Sequence, residues 1–168
     1  MDQLQIAGST IGFRRCGLSA GTTNTFTTAI DYHYAIRGQT YVAAPLANFA
    51  GPAVDVNTGA AFIPVGPNKA GVFVFVIDGS GTFATATRVA QGAIVDLDGS
   101  ADGASANYVS RLPEFPAVSD NMCVYGWCVV KVGASGSPWT FGTSNNSGVA
   151  NTTVTFTSGV CLPDRPRG

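Results

Sequence analysis

Charge is what this sequence has least of. Asp, Glu, Lys and Arg make up 11% of its 168 residues, less than half the share of about 25% in ordinary globular chains. Glu114 is the only glutamate, and Lys69 and Lys131 are the only lysines. A helical protein surfaced by Glu and Lys is thereby excluded. The formal charge of −1 and a pI near 5.6 also argue against a nucleic-acid-binding surface, because phosphate recognition needs clustered cations. Arg14-Arg15 and Arg165/Arg167 are too small to form such a patch. No apolar run approaches the ~20 residues that span a bilayer. The N-terminus MDQLQIAGST lacks the basic and apolar regions of a signal peptide. The expectation is synthesis in the cytosol with reduced thiols.

What is present suits strands and turns. Hydrophobic residues make up 45%, Gly numbers 21 and Pro 9, and most remaining polar positions are Ser, Thr and Asn. Thr and aromatics favour pleated surfaces, while Gly, Pro and Asn supply turn geometry. A surface so poor in charge is either covered in an assembly or belongs to a neutral, hydrated monomer. The length fits one domain with a core of its own.

From Phe26 onward, strand and turn alternate. In AIDYHYAI (29–36), Tyr32, Tyr34 and Ile36 share a face; Arg37-Gly38 is a turn, and Gln39 to Ala43 runs back as a hairpin partner. Ala60 to Val65 reads as a short strand. GVFVFVI (71–77) is apolar without alternation, as a strand buried on both faces requires. Asp78 to Gly81 is its turn, with TFATATRVA returning from Thr82. Gly92 to Leu97, Met122 to Val132 and Thr152 to Thr157 are further strands, and LPEFP (112–116) is a prolyl connection. The fold expected is all-β, a β-sandwich or jelly-roll-like barrel of about eight short strands.

Residues 1–25 differ from this body, which spans 26–168 and ends in an extended, Pro-rich tail. They show neither period and scatter apolar residues among Gly, Ser and Thr. One reading is a loosely packed terminus. The other is an extended arm that docks on a neighbour. Fully extended, such an arm reaches ~80–90 Å, against a radius of gyration of ~14 Å for the body. Ile6, Ile11, Phe13, Arg14, Arg15 and Leu18 are its candidate contact residues.

Chemistry is sparse. Cys123 and Cys128 stand five apart in NMCVYGWCVVKVG. In one regular strand, Cys123, Tyr125, Trp127 and Val129 share a face and Cys128 lies on the other, so the two thiols converge only across a bulge near Gly126. Cys16 and Cys161 have no paired spacing and His33 is the only histidine, so no zinc ligand set is read. Reduced cysteines serving as small hydrophobes fit better. His33 has no nucleophile motif beside it, and no catalytic residue is assigned. Asp96, Asp98 and Asp102 alternate as in a calcium loop, but its glycine and terminal glutamate positions are not matched. A turn built by Asp and Gly is the simpler reading. The carboxylates Asp31, Asp96 and Asp98 are not singled out as a glycosidase pair. Gly79-Ser-Gly81 lacks the following helix of a phosphate loop. No cofactor is expected.

The ordered run DYHYAIRGQTY, GVFVFVIDGSG, VAQGAIVDLDG, LPEFPAVSDNMCVYGWCVVKVG, PWTFG and CLPDRP resembles small bacteriophage head decoration (cement) proteins, over roughly residues 26 to 166. That resemblance implies a β-rich structural subunit on the outer capsid surface of the virion. Its partners would be the major capsid protein and copies of itself, as a homotrimer, with no nucleic acid, membrane or catalysis involved. Closed symmetry favours such small rings, linked contacts multiply affinity, and binding only the assembled shell stabilises it by mass action. The alternative is a tail-fibre or spike module that stacks Tyr32, Trp127 or Trp139 on a host glycan.

Overall fold

The computed structural model describes residues 9–163. Eleven strands and one helical turn are found among them. The strands are β1 (Ile11–Gly12), β2 (Ser19–Ala20), β3 (Thr25–Thr27), β4 (Tyr32–Ile36), β5 (Gln39–Ala43), β6 (Phe49–Ala50), β7 (Lys69–Ile77), β8 (Thr87–Gln91), β9 (Val95–Asp96), β10 (Cys123–Val132) and β11 (Thr152–Ser158). The helical turn, α1, is Phe83–Ala86. They form three antiparallel sheets ordered β1-β4-β5, β2-β3-β6 and β11-β10-β7-β8, with β9 also on β7. The fold is all-β, a sandwich with the largest sheet on one side.

The β4–β5 hairpin forms where it was expected. Ile36 pairs with Gln39, which leaves Arg37 and Gly38 as a two-residue loop. Both have positive φ, 50° and 82°, as a type I′ turn demands. Glycine meets that demand without strain. Tyr32, Tyr34 and Ile36 are buried together, as the alternation required.

Three elements differ from their sequence reading, and of these residues 92–97 form strand only at Val95–Asp96. Thr82–Ala86 is not strand: Ala86 N–H bonds to Thr82 O at 2.9 Å, and one helical turn carries Phe83 and Ala86 inward. The three-residue spacing puts both on one side. Phe83 then packs on Tyr125, ring centroids 5.1 Å apart. Ala60–Val65 is not a continuous strand either, since only Ala61 and Val65 make isolated bridges. The Gln91 side chain takes the place of a strand partner, accepting from Ile63 N–H at 2.8 Å and donating to Ile63 O at 2.7 Å.

β7 and β10 form the centre. Phe73, Phe75 and Ile77 of β7 face the sandwich interior with Tyr125, Cys128, Val130 and Val132 of β10, against Phe26, Tyr32, Tyr34 and Phe49 from the two smaller sheets. Val72, Val74, Val76, Trp127 and Val129 face the other way. That second face is covered by irregular chain, chiefly Phe115, Val118 and Met122, with Leu162 from the C-terminal side. The LPEFP connection is thus a strap over the sheet, and Phe115 meets Trp127 edge-on at 5.4 Å.

The parity reading of β10 is corrected. The register slips between Val124, opposite Val76, and Gly126, opposite Phe75. Tyr125 is the extra residue of a β-bulge, which resets alternation. Cys123 therefore joins Tyr125 and Cys128 in the interior cluster, and Trp127 lies on the opposite side.

The strap depends on close approach. A Cβ on Gly92 would collide with the Glu114 carbonyl oxygen and a Val72 methyl, whereas one on Gly66 would meet nothing within 4 Å. Gly92→Ala is expected to cost about 1–3 kcal/mol by overpacking, seen as a thermal midpoint lower by several degrees. Gly66→Ala is expected to stay within about 0.5 kcal/mol of the parent. Equal midpoints for the two variants would contradict this role of the strap.

Candidate interaction surface

The β1-β4-β5 sheet turns its second face to solvent. Because Tyr32 and Tyr34 point inward, His33 and Ala35 point out. Pairing aligns Ile11 with Ala35 and Thr40, and His33 with Val42. Phe13 continues β1, its N–H bonded to His33 O at 2.8 Å. Ile11, Phe13 and Val42 therefore share the outer face, and they are 46%, 58% and 53% exposed. Three large apolar side chains thus stand exposed on one face of a small sheet, with His33 between Phe13 and Val42, and exposed apolar surface of this kind marks a candidate interaction site. Arg14 and Arg15 follow at its border, and Arg37 caps the hairpin tip, all three exposed.

The predicted contact residues divide. Ile11, Phe13, Arg14 and Arg15 are exposed along this patch. Leu18 is not: it is 5% exposed, and a Cβ on Gly126 would meet its Cδ2 at 2.6 Å. Leu18 is a core residue of its own domain, and its assignment as a contact residue is corrected. The cause is local. Gly17 takes φ +72° and donates to Ser158 Oγ at 3.0 Å, while Cys16 O accepts from Ala29 N–H at 2.8 Å. These bonds fold residues 16–18 under the large sheet. Ile6 lies outside the described residues. Val42, which the sequence reading passed over, is brought in by the hairpin, which sets it opposite His33; flanked by Tyr41 and Ala43, it carried no alternation of its own.

The aromatics considered for sugar stacking offer no platform. Tyr32 and Trp139 are fully buried, and Trp127 is 7% exposed. Tyr32 donates its hydroxyl to Val124 O at 2.5 Å, and Trp139 Nε1 donates to Asn145 O at 2.8 Å.

Several carboxylates weighed for chemistry are committed to structure. The Asp98 carboxylate accepts from Asn107 Nδ2 at 2.9 Å and Ser100 N–H at 3.1 Å, and these bonds hold it well below the usual carboxylate range. Asp102 accepts from Ala104 N–H at 3.2 Å, and Asp96 pairs with Lys69. A cleft of ≈ 570 Å³ beside Ile63 and Ile94 includes Asp55. That carboxylate already accepts from Asn57 N–H, Thr58 Oγ1 and Gln91 N–H. A smaller hollow of ≈ 370 Å³, lined by Ile11, Met122, Val124 and Leu162, adjoins the patch and extends its apolar character.

Among the described residues, no group of three or more His, Cys, Asp and Glu side chains is placed to hold a metal ion. The bulge brings Cys123 and Cys128 to one face, yet both remain free thiols, as do Cys16 and Cys161. Burial pushes the Cys16 thiol up to about 11 and raises Cys123 and Cys128 as well. A neutral, buried thiol is a poor nucleophile. In comparisons with known proteins, no family model, no curated protein and no solved structure matches the chain.

Two measurements check the thiol assignment. A thiol reagent at pH 8 is expected to label Cys161 alone in the native protein and all four cysteines after denaturation. Rapid native labelling of Cys16 or Cys128 would contradict their burial. The folded chain holds the Cys16 proton more tightly than the unfolded chain does. Its contribution to stability is therefore complete below the ordinary thiol value of 9.0 and is lost as pH rises toward about 11. Thermal midpoints should fall across that window, with Cys16 accounting for on the order of 2 kcal/mol.

Proposed function

We propose that this chain is a structural virion protein, a decoration subunit that binds the outer surface of a bacteriophage head through the face of β1, β4 and β5. The observation that carries the reading is the gathering of three exposed apolar side chains, Ile11, Phe13 and Val42, on one face of a small sheet, whereas Ile63 and Val109, also exposed, lie outside the strands. The ordered motifs that resemble head decoration proteins point the same way. A low-charge surface suits a protein that spends its life against a neighbour, where fewer ions lose their hydration.

The mechanism is adhesive. A large sheet covered on both sides and an aromatic-rich core make a stiff body, so little conformational freedom is lost on docking. Burying each exposed apolar side chain contributes about 1–2 kcal/mol, less than full burial because part of each is already covered. Many weak contacts repeated over a lattice then act together through high effective concentration. Because the subunit binds the assembled shell and not its free components, occupancy shifts the equilibrium toward the intact particle. The major capsid protein is the partner this reading names.

The test uses substitutions that leave the core alone. Phe13→Ser combined with Val42→Ser is expected to keep the far-UV spectrum and thermal midpoint of the parent. The double variant should bind purified heads about ten- to a hundredfold more weakly in co-sedimentation. Undiminished binding with full heat protection of the heads would show that this face does not dock.

A further inference from the structure

The two edges of the large sheet are treated differently. At β8, Val56 N–H donates to Val89 O at 2.9 Å, and the Asp55 carboxylate accepts from Gln91 N–H at 3.3 Å. That edge is covered. At the other end, β11 pairs with β10 without a bulge from Thr152 opposite Val132 to Ser158 opposite Gly126. Gly159 N–H bonds to Tyr125 O at 3.2 Å, which sets the phase of the ladder. Thr153, Thr155 and Thr157 exchange main-chain bonds with β10, so the N–H and C=O groups of Val154 and Phe156 point away from it. Among the described residues these outward groups have no further partner.

A bare edge strand is a template for another strand, and natural proteins usually blunt it with charge, proline or a bulge. β11 reads TTVTFTS and has none of these. Its chemistry is also symmetric about Thr155. Val154 and Phe156 flank the centre, Thr153 and Thr157 follow, and Thr152 and Ser158 close the ends. Val154 and Phe156 are only partly buried where they pack on the interior cluster.

We infer that β11 pairs with the β11 of a second copy of this chain, antiparallel about a two-fold axis through Thr155. In that register Val154 and the partner's Phe156 exchange both main-chain bonds, and so do Phe156 and the partner's Val154. An aliphatic residue then meets an aromatic one on the inner face, and threonines meet threonines on the outer face, both favourable cross-strand pairs. No like charges oppose each other. A slip by one residue would set Val154 and Phe156 against hydroxyl residues and is disfavoured, while the symmetric register pairs both apolar residues with apolar partners. The pairing is isologous and closes as a dimer, in place of the homotrimer that the resemblance to head decoration proteins implies. It concerns a different sheet from the β1-β4-β5 face and does not rest on the virion reading.

Thr155 would face the partner's Thr155 at a non-hydrogen-bonded position, with Cα atoms about 4.5 Å apart, a separation that a disulfide spans. Thr153 would lie roughly 14 Å from its own counterpart, four residues further along the strand. Thr155→Cys and Thr153→Cys are each placed in the full chain with Cys161→Ser, mildly oxidised and resolved without reductant. Thr155→Cys is expected to yield covalent dimer at least tenfold faster than Thr153→Cys. Sedimentation should show the parent as a dimer and Thr155→Lys as a monomer with an unchanged far-UV spectrum. A monomeric or trimeric parent, or equal crosslinking at the two positions, would overturn the inference.

Discussion

The fold depends on two adjacent strands, β7 and β10, that are apolar on both faces. An antiparallel pair of this kind is stable only when both sides are sealed from water. On one side the smaller sheets supply Phe26, Tyr32, Tyr34 and Phe49. On the other there is no second sheet, and the strap with Phe115, Val118 and Met122 takes its place, joined by Leu162 from the C-terminal side. The bulge at Tyr125 serves the same end. It turns Tyr125 inward, where the hydroxyl reaches Thr87 Oγ1 at 3.0 Å, and leaves Trp127 for the strap.

Sealing the centre in this way leaves polar groups little to do except hold turns and loops. Tyr34 ties its hydroxyl to Asp78 O at 2.8 Å, Asp55 gathers the β8 edge, and Asp98 and Asp102 cap their own turns. Among the described residues, no group of three or more His, Cys, Asp and Glu side chains is placed to hold a metal ion. Two surface features stand out, the outer face of β1, β4 and β5 and the main-chain edge of β11.

Much of this was legible in the residues. The hairpin at Arg37-Gly38 was readable because a turn pair stands between two runs of strand-forming residues. GVFVFVI was readable because an apolar run of that length, rich in Val and Phe, suits a strand buried on both faces. The bulge was not readable, since it is a mismatch in residue count between two strands and neither strand alone records it. Parity therefore put Trp127 on the wrong face. The strands of two residues at Ile11, Ser19 and Phe49 lie below the length at which alternation can be seen. Leu18 was misplaced for a related reason: a turn of positive φ at Gly17 sends it inward, and contacts distant in sequence, with Ser158, Ala29 and the core around Gly126, hold it there. For the site, Ile11 and Phe13 were visible as apolar residues in a segment without period. Val42 became part of the patch only once the hairpin set it opposite His33.

In the proposed role the sandwich is a shell-bound subunit, face down on β1, β4 and β5. Imaging of purified virions at a resolution that shows strands tests it most directly. The prediction is density for this chain on the outer head lattice, with Ile11, Phe13 and Val42 against the capsid. Density on the tail, or heads that carry none of this chain, would contradict it.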